Sequence, residues 1–147
     1  MISIHPLTPA DFVDWEPLWL GYLSFYEAEL SDDLTQLAFE RLTDPAEAMY
    51  GFLARDDQGR AVGIVNWLTH RATWTRNNYC YLEDLFVAPE ARGTGAGRAL
   101  IEAVYAAANE LGCPNVYWLT HETNTEARKL YDRIAERSGF IHYRHRV

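Results

Sequence analysis

Two neighbouring carboxylates, Glu83 and Asp84, stand in the middle of the run YCYLEDLFV, residues 79–87. A central strand covered on both faces is nearly all apolar, so two acids at its centre require a reason. One is an edge or splayed region where water reaches both groups. The other is a general base at a cleft, positioned to take a proton from a reacting group. Strict alternation puts Tyr81, Glu83 and Leu85 on one face and Leu82, Asp84 and Phe86 on the other.

The segment that follows, VAPEARGTGAGRAL (residues 87–100), has glycine at positions 93, 95 and 97 and arginine at 92 and 98. Glycine at that density is costly to order, and it removes the side chains that would keep a ligand away from the backbone. A nucleotide loop of the Walker type needs Lys then Ser or Thr after the last glycine, but Gly97 is followed by Arg98 and Ala99. A dinucleotide fingerprint needs a third glycine three residues beyond a Gly-x-Gly pair, which neither pair here has. What remains is Arg92-x-x-Gly95-x-Gly97 between a strand and a helix. Consecutive backbone N–H groups at a helix start can hold an anion, and the arginines can add charge-assisted contacts. The plainer alternative is a flexible strand-to-helix turn.

The elements that must position these groups are legible by pattern. Ile2 and Ile4 alternate in a short first strand. Thr8, Pro9 and Asp11 open a helix, whose pattern continues through WEPLWLGYLSFYEAEL with a kink or restart expected at Pro17. DDLTQLAFERLTD reads as a second helix. Two apolar runs around Asp-Gln-Gly, residues 57–59, form a hairpin signal, and residues 79–87 follow as a strand. Next comes a helix with Leu100, Val104, Ala108 and Leu111 on one stripe and Gly112 as its stop. NVYWLTH reads as a strand, TNTEARKLYDRIAERSG as a helix ending near Gly139, and FIHYRHRV as a closing strand. The strand–helix–strand unit around the glycine loop makes its two strands parallel. The expected fold is α/β: one domain, residues 1–147, with a mixed sheet and helices on both faces.

Composition narrows the partners. The chain has 147 residues, 48% of them apolar, and a net charge of −8. That length supports one domain with a core rather than two. The acidic balance disfavours nucleic acid and suits cationic small molecules or basic peptide tails, although solubility alone accounts for it equally. No apolar run is long enough for a membrane span and no leader pattern is visible. Cys80 and Cys113 are too few for a disulfide framework, so a cytoplasmic location is expected. The five histidines lack metal-site spacing, and no metal is expected.

The Arg-x-x-Gly-x-Gly loop after an apolar strand, with NTEARKLYDRIAERSGF downstream, resembles the GNAT superfamily of acetyl-CoA-dependent N-acetyltransferases. The likeness covers most of the chain and is strongest over residues 81–97 and 117–140. YLEDLFV and SFYEAEL look like the diamine (spermidine/spermine-type) branch. VYWLTHETNTEARKLYDR looks like the fungal histone/polyamine and D-amino-acid branch. The resemblance implies a GNAT fold with a mixed, mostly antiparallel sheet of six to seven strands. It implies acetyl-CoA as donor, with the backbone of Leu85, Phe86 and Val87 beside the pantetheine arm. Arg92, Gly93, Thr94, Gly95, Ala96, Gly97 and Arg98 would hold the pyrophosphate, and Asn124, Thr125, Glu126 and Ala127 would contact the cofactor from the other side. Glu83 matches the family's proposed base.

A base has work to do in such a reaction. Freeing a primary amine of pKa about 10.4 at pH 7 costs about 4.6 kcal/mol, and only the neutral amine attacks a thioester. Tyr131, seven residues after Asn124 and on the same helical face, is by resemblance a cofactor contact and the proton donor to the departing thiolate. A thiol at about 8.5 against a phenol at about 10 makes full transfer uphill by roughly 2 kcal/mol unless the site shifts these values. Hydrogen bonding to the sulfur is the alternative role. Tyr26 and Glu27 match substrate-facing positions of the diamine branch, and Trp74 offers an aromatic wall for a cation or alkyl chain; Glu83 completes the substrate set.

The leading expectation is acetylation of a polyamine, diamine or lysine-like amine by direct attack in a ternary complex. Amino acids, D-isomers included, are the alternative acceptor, and a non-catalytic acyl-CoA-binding module is the alternative role. The helix beyond Tyr131 reads longer than the family's usual ending, and about one strand follows it where many relatives have a further hairpin. An uncovered sheet edge invites pairing, so the sequence is expected to form a homodimer in which the C-terminal strands complete or flank each other's sheets.

Overall fold

The computed structural model describes residues 1–147. Strand β1 (Ser3–Pro6) leads through a single 3₁₀ turn into α1 (Phe12–Phe25) and then α2 (Asp32–Thr43). Strands β2 (Met49–Arg55), β3 (Ala61–His70) and β4 (Tyr79–Val87) follow, then α3 (Ala96–Glu110), β5 (Val116–Tyr117) and α4 (Thr125–Ile134). The sheet order is β1-β2-β3-β4-β5, antiparallel except for the parallel β4–β5 pair. No helix is long and apolar enough to cross a membrane.

Each face of the sheet has its own core. On one, α1 and α2 bury Trp15, Leu18, Trp19 and Phe39 against Leu53 and Ile64. On the other, α3 buries Leu100, Ile101, Val104 and Ala108 against Val65, Trp67, Cys80 and Leu82. The i, i+4, i+8 spacing of Leu100, Val104 and Ala108 is one helical stripe. Leu111, the expected fourth member, lies past the last turn and is 49% exposed. Pro17 does not break α1. It and Val13, whose carbonyl loses a partner to it, lie on the exposed side, where the carbonyl is open to solvent.

Three further expectations change. The sheet has five strands, not six or seven, and β5 holds only two residues of NVYWLTH. The last helix stops at Ile134 instead of continuing to Gly139: Ala135 is extended, and the Tyr105 hydroxyl donates to the Ile134 carbonyl at 2.9 Å. FIHYRHRV is not a strand, because a strand requires a hydrogen-bonded neighbour and these residues have none within the chain.

Candidate active site

The two carboxylates of β4 occupy a β-bulge. Across the β3–β4 ladder Asn66 pairs with Asp84, but Trp67 pairs with Leu82, which leaves Glu83 without a partner. The extra residue resets the alternation. Leu82 and Leu85 both pack into the α3 core, while Phe86 packs with α1 and Asp84 contacts Asn66 on that same side. The expected grouping of Leu82 with Asp84 and Phe86 therefore fails at the bulge. Its physical reason is that a bulge depends on register with the partner strand, which β4's own residues do not encode.

Below the bulge, Asp84 is held by side chains that the sequence reading passed over. Trp15 Nε1 donates to Asn66 Oδ1 at 3.2 Å, and Asn66 Nδ2 donates to Asp84 Oδ2 at 3.1 Å. Tyr22 lies beside Asp84, and burial and then the charge of that carboxylate raise the pKa of its hydroxyl. A lone Asn in the apolar run AVGIVNWLTH was the available signal for this network. Burial pushes the Asp84 carboxyl above the usual carboxylate range despite these donors. Burial, and then the charge of Asp84, raise Glu83 as well. Glu83 is the more exposed of the two.

The bulge is also where the sheet divides. β4 and β5 pair only at Cys80–Val116 and Tyr81–Tyr117. From Glu83 onward, the β4 edge that faces β5 is unpaired, and the backbone of Leu85, Phe86 and Val87 lies along this opening. A cleft of about 2050 Å³ flanks it, lined by Tyr26, Trp74, Glu83 and Tyr131 among others. Four of the residues singled out for acceptor and catalysis therefore share one cavity. Glu27 is not among its lining residues; it sits just past the end of α1 with φ +53°. The floor carries aromatic rings: Tyr81 stacks on Tyr117 at 4.9 Å, and His70 Nε2 lies 2.7 Å from the Tyr117 hydroxyl. His70 Nδ1 is 2.8 Å from the Arg71 carbonyl. That carbonyl can only accept, so Nδ1 carries the proton and, in the neutral ring, Tyr117 donates to Nε2.

Tyr131 projects from α4 against Trp118, with ring centroids 5.4 Å apart. Burial and then the neighbouring Tyr26 push its hydroxyl up to about 12. The group thus stays protonated across the physiological range. Full transfer to a thiolate of pKa about 8.5 would be uphill by about 5 kcal/mol, so the site moves away from proton transfer and toward hydrogen bonding.

The glycine loop lies at the other end of the opening. The six amides of residues 93–98 donate to no acceptor in the protein. Gly93 and Gly95 take φ of +81° and +87°, where side chains are strained, and an added Cβ at either would meet open space. Gly95 caps α3 at its N-terminus, which carries the positive end of the helix dipole. Gly97 needs neither a positive φ nor a close approach. Arg92 Nε donates to the Val87 carbonyl at 3.3 Å, and its guanidinium sits 5.9 Å from the Phe86 ring centroid. Arg98 is paired with Glu102 on the surface. Across the opening, Asn124 caps α4 and its amide donates to Thr120 Oγ1. Thr125 and Ala127 lie in the first turn, while Glu126 points to solvent in an ion pair with Lys129. No group of three or more His, Cys, Asp or Glu side chains is arranged to hold a metal ion.

Comparison with known proteins places this architecture. The model of the acetyltransferase (GNAT) family matches residues 13–135. The D-amino-acid N-acetyltransferase HPA3 of Saccharomyces cerevisiae is 35% identical over 144 residues, covering 97% of this chain and 89% of that protein. The thialysine N-epsilon-acetyltransferase of Sus scrofa is 38% identical over 66 residues, 45% of this chain and 38% of its own length. The solved structure of AAC(6')-Iy in complex with a CoA-linked bisubstrate analogue superposes with a TM-score of 0.84 at 23% identity, covering 100% of this chain and 99% of that one, a likeness of fold. With the family model spanning most of its length and both cores, the bulge and the glycine loop in one framework, the chain belongs to the acetyltransferase (GNAT) family.

Proposed function

We propose that this protein transfers an acetyl group from acetyl-CoA to the primary amine of a small acceptor by direct attack within a ternary complex. One observation carries the reading: Glu83 stands at the bulge where β4 and β5 part, between an aromatic cleft and a run of six unpaired amides. That run fits a diphosphate. It combines free donors, a helix N-terminus and backbone open to close approach. When bound, acetyl-CoA supplies the activated acetyl thioester. Residues 93–98 hold its diphosphate, and the free edge of Leu85, Phe86 and Val87 offers main-chain groups to the pantetheine arm. Asn124, Thr125 and Ala127 border the opposite side; Glu126, facing solvent, is the weakest member of the proposed set. Glu83 attracts the acceptor ammonium and takes its proton, directly or through water. Its raised pKa makes it a better base than an ordinary carboxylate. Tyr131 donates a hydrogen bond to the sulfur as negative charge develops there.

The acceptor cleft favours an amino acid over a polyamine. A polycation requires a surplus of carboxylates, yet the lining contains four carboxylates and four guanidinium groups, Arg71 and Arg128 among them. That balance suits an acceptor carrying one ammonium and one carboxylate, with Tyr81, Tyr117 and Trp74 as apolar wall. The 35% identity to a D-amino-acid N-acetyltransferase over 97% of this chain and 89% of that protein supports the same choice. The test is release of free thiol from acetyl-CoA against a panel of L- and D-amino acids, polyamines and basic peptides. Saturable release with single amino acids is expected. Preference for polyamines would overturn the acceptor assignment. Tight CoA binding by calorimetry without turnover of any amine would indicate a regulatory module instead.

A further inference from the structure

Strand β3 is buried from Val62 to Trp67, and Asn66, 4% exposed, is the only one of these residues with a side-chain amide or charge. A buried amide persists only where its hydrogen bonds are made. Those of Asn66 run in a fixed direction. An indole N–H only donates, so the atom 3.2 Å from Trp15 Nε1 is the amide oxygen. The amide nitrogen is then the atom 3.1 Å from Asp84 Oδ2, and it cannot accept. Asp84 Oδ2 must therefore accept, and it carries no proton of its own. The indole of α1 dictates in this way how the buried carboxyl of β4 is used. α1 also reaches that carboxyl by a second route: Trp15 stacks on Trp19, and Trp19 on Tyr22, which lies beside Asp84. Asn66 is the last residue of β3 in step with β4 before the ladder slips, pairing with Asp84 while Trp67 pairs with Leu82. The clamp sits at the foot of the bulge that carries Glu83.

We infer that Asn66 is a positioning residue: its amide, oriented by Trp15, holds Asp84 as a hydrogen-bond acceptor beneath the bulge and so keeps a negative charge next to Glu83. An N–H donated to a carboxyl favours the ionised form. Burial opposes that charge on Asp84, and the Asn66 amide offsets the opposition. The other titratable groups facing the two carboxyls are phenols, Tyr22 and Tyr26 from α1 and Tyr81 from β4, all pushed up by burial and so uncharged. Neither carboxyl is in an ion pair. The state of the pair is therefore set by burial, by mutual repulsion and by the amide. An Asn66 that served the fold alone would fix the register of β3 against β4 and leave the carboxyls' titration untouched. The inference concerns the ionisation of the pair; its kinetic consequence rests on the reading of Glu83 as the base of acetyl transfer.

Carboxyl-carbon NMR of the CoA-free protein, following Glu83 and Asp84 through a pH titration, tests this directly. Asn66→Leu, close in volume, removes both hydrogen bonds. Asp84 is then expected to titrate at higher pH than in the native chain and Glu83 at lower pH, each by about half a pH unit or more. Asp84→Asn should lower Glu83 in the same way. Adding Asn66→Leu to it should move Glu83 no further, because the amide acts through Asp84. Unchanged titration in Asn66→Leu, or movements of Glu83 that add in full in the double variant, overturns the inference. If Asn66→Leu does not fold, Trp15→Phe decides. It keeps a ring in the core without the indole donor, and the same opposite movements of the two carboxyls are expected; native titration there overturns the inference. Steady-state rates separate this from the catalytic reading. In Asn66→Leu the acid limb of kcat/KM should follow Glu83 to lower pH, with kcat down about tenfold and CoA affinity within about twofold. A limb that stays in place while the carboxyls move leaves the positioning standing and removes Glu83 as base.

Discussion

At Glu83 partial burial and then a like-charged neighbour raise the carboxyl's pKa, and the catalytic reading makes that shift observable. The group is active as a base only when ionised, so the acid limb of kcat/KM against pH is expected above the usual carboxylate range. Glu83→Gln should abolish that limb and lower kcat/KM roughly 10²-fold or more. In Asp84→Asn the limb should move to lower pH, because the second cause of the shift is removed. An unchanged profile in both variants would exclude Glu83 as the base. Tyr131 is predicted to act differently. With its hydroxyl near 12, Tyr131→Phe should lower kcat about tenfold or more while CoA affinity moves by less than about twofold. Isothermal calorimetry beside steady-state rates separates the two. Equal turnover would remove this role.

At the scale of elements, the loop before α3 joins backbone conformation to ligand. Gly95→Ala keeps every donor but forces a Cβ into the left-handed region, a cost of about 1–2 kcal/mol. Weaker CoA binding and a lower melting temperature are expected together, whereas Gly97→Ala, with only ordinary contacts at 3.7 Å, should be better tolerated as a fold change. Much of this element was legible. Glycine spacing between an apolar run and an amphipathic stripe identifies a strand, a donor-rich turn and a helix from local sequence alone. The bulge was not legible, because it arises where Asn66 and Trp67 meet β4, and no window along residues 79–87 contains that partner. Nor was the close approach of α1, where an added Cβ at Gly21 would lie 2.8 Å from the Phe86 ring. Contacts of that kind link residues 65 positions apart.

For the whole molecule, the same distinction separates what could be read from what could not. The two faces of apolar residues, the antiparallel strands and the single parallel crossover follow from patterns within the chain, and the α/β class with helices on both faces is as expected. The shortness of β5 and the failure of residues 140–147 to form the closing strand were not legible, because pairing depends on a second strand, which local alternation does not supply. Trp15, Asn66 and Asp84 show how a core built from distant segments supports the site: three residues from α1, β3 and β4 meet in one hydrogen-bonded line. The unpartnered position in β4 has one more consequence. A residue that contributes no rung to the ladder can be exchanged without dismantling it, and here the native group is an exposed carboxyl whose ionised form is disfavoured by its surroundings and by the charge of Asp84. Replacing it with an uncharged isostere should therefore leave thermal resistance at neutral pH intact or improved while activity collapses. The chain would then tolerate inactivation at this point with no penalty in folding, and folded, CoA-binding but inert protein should be simple to prepare.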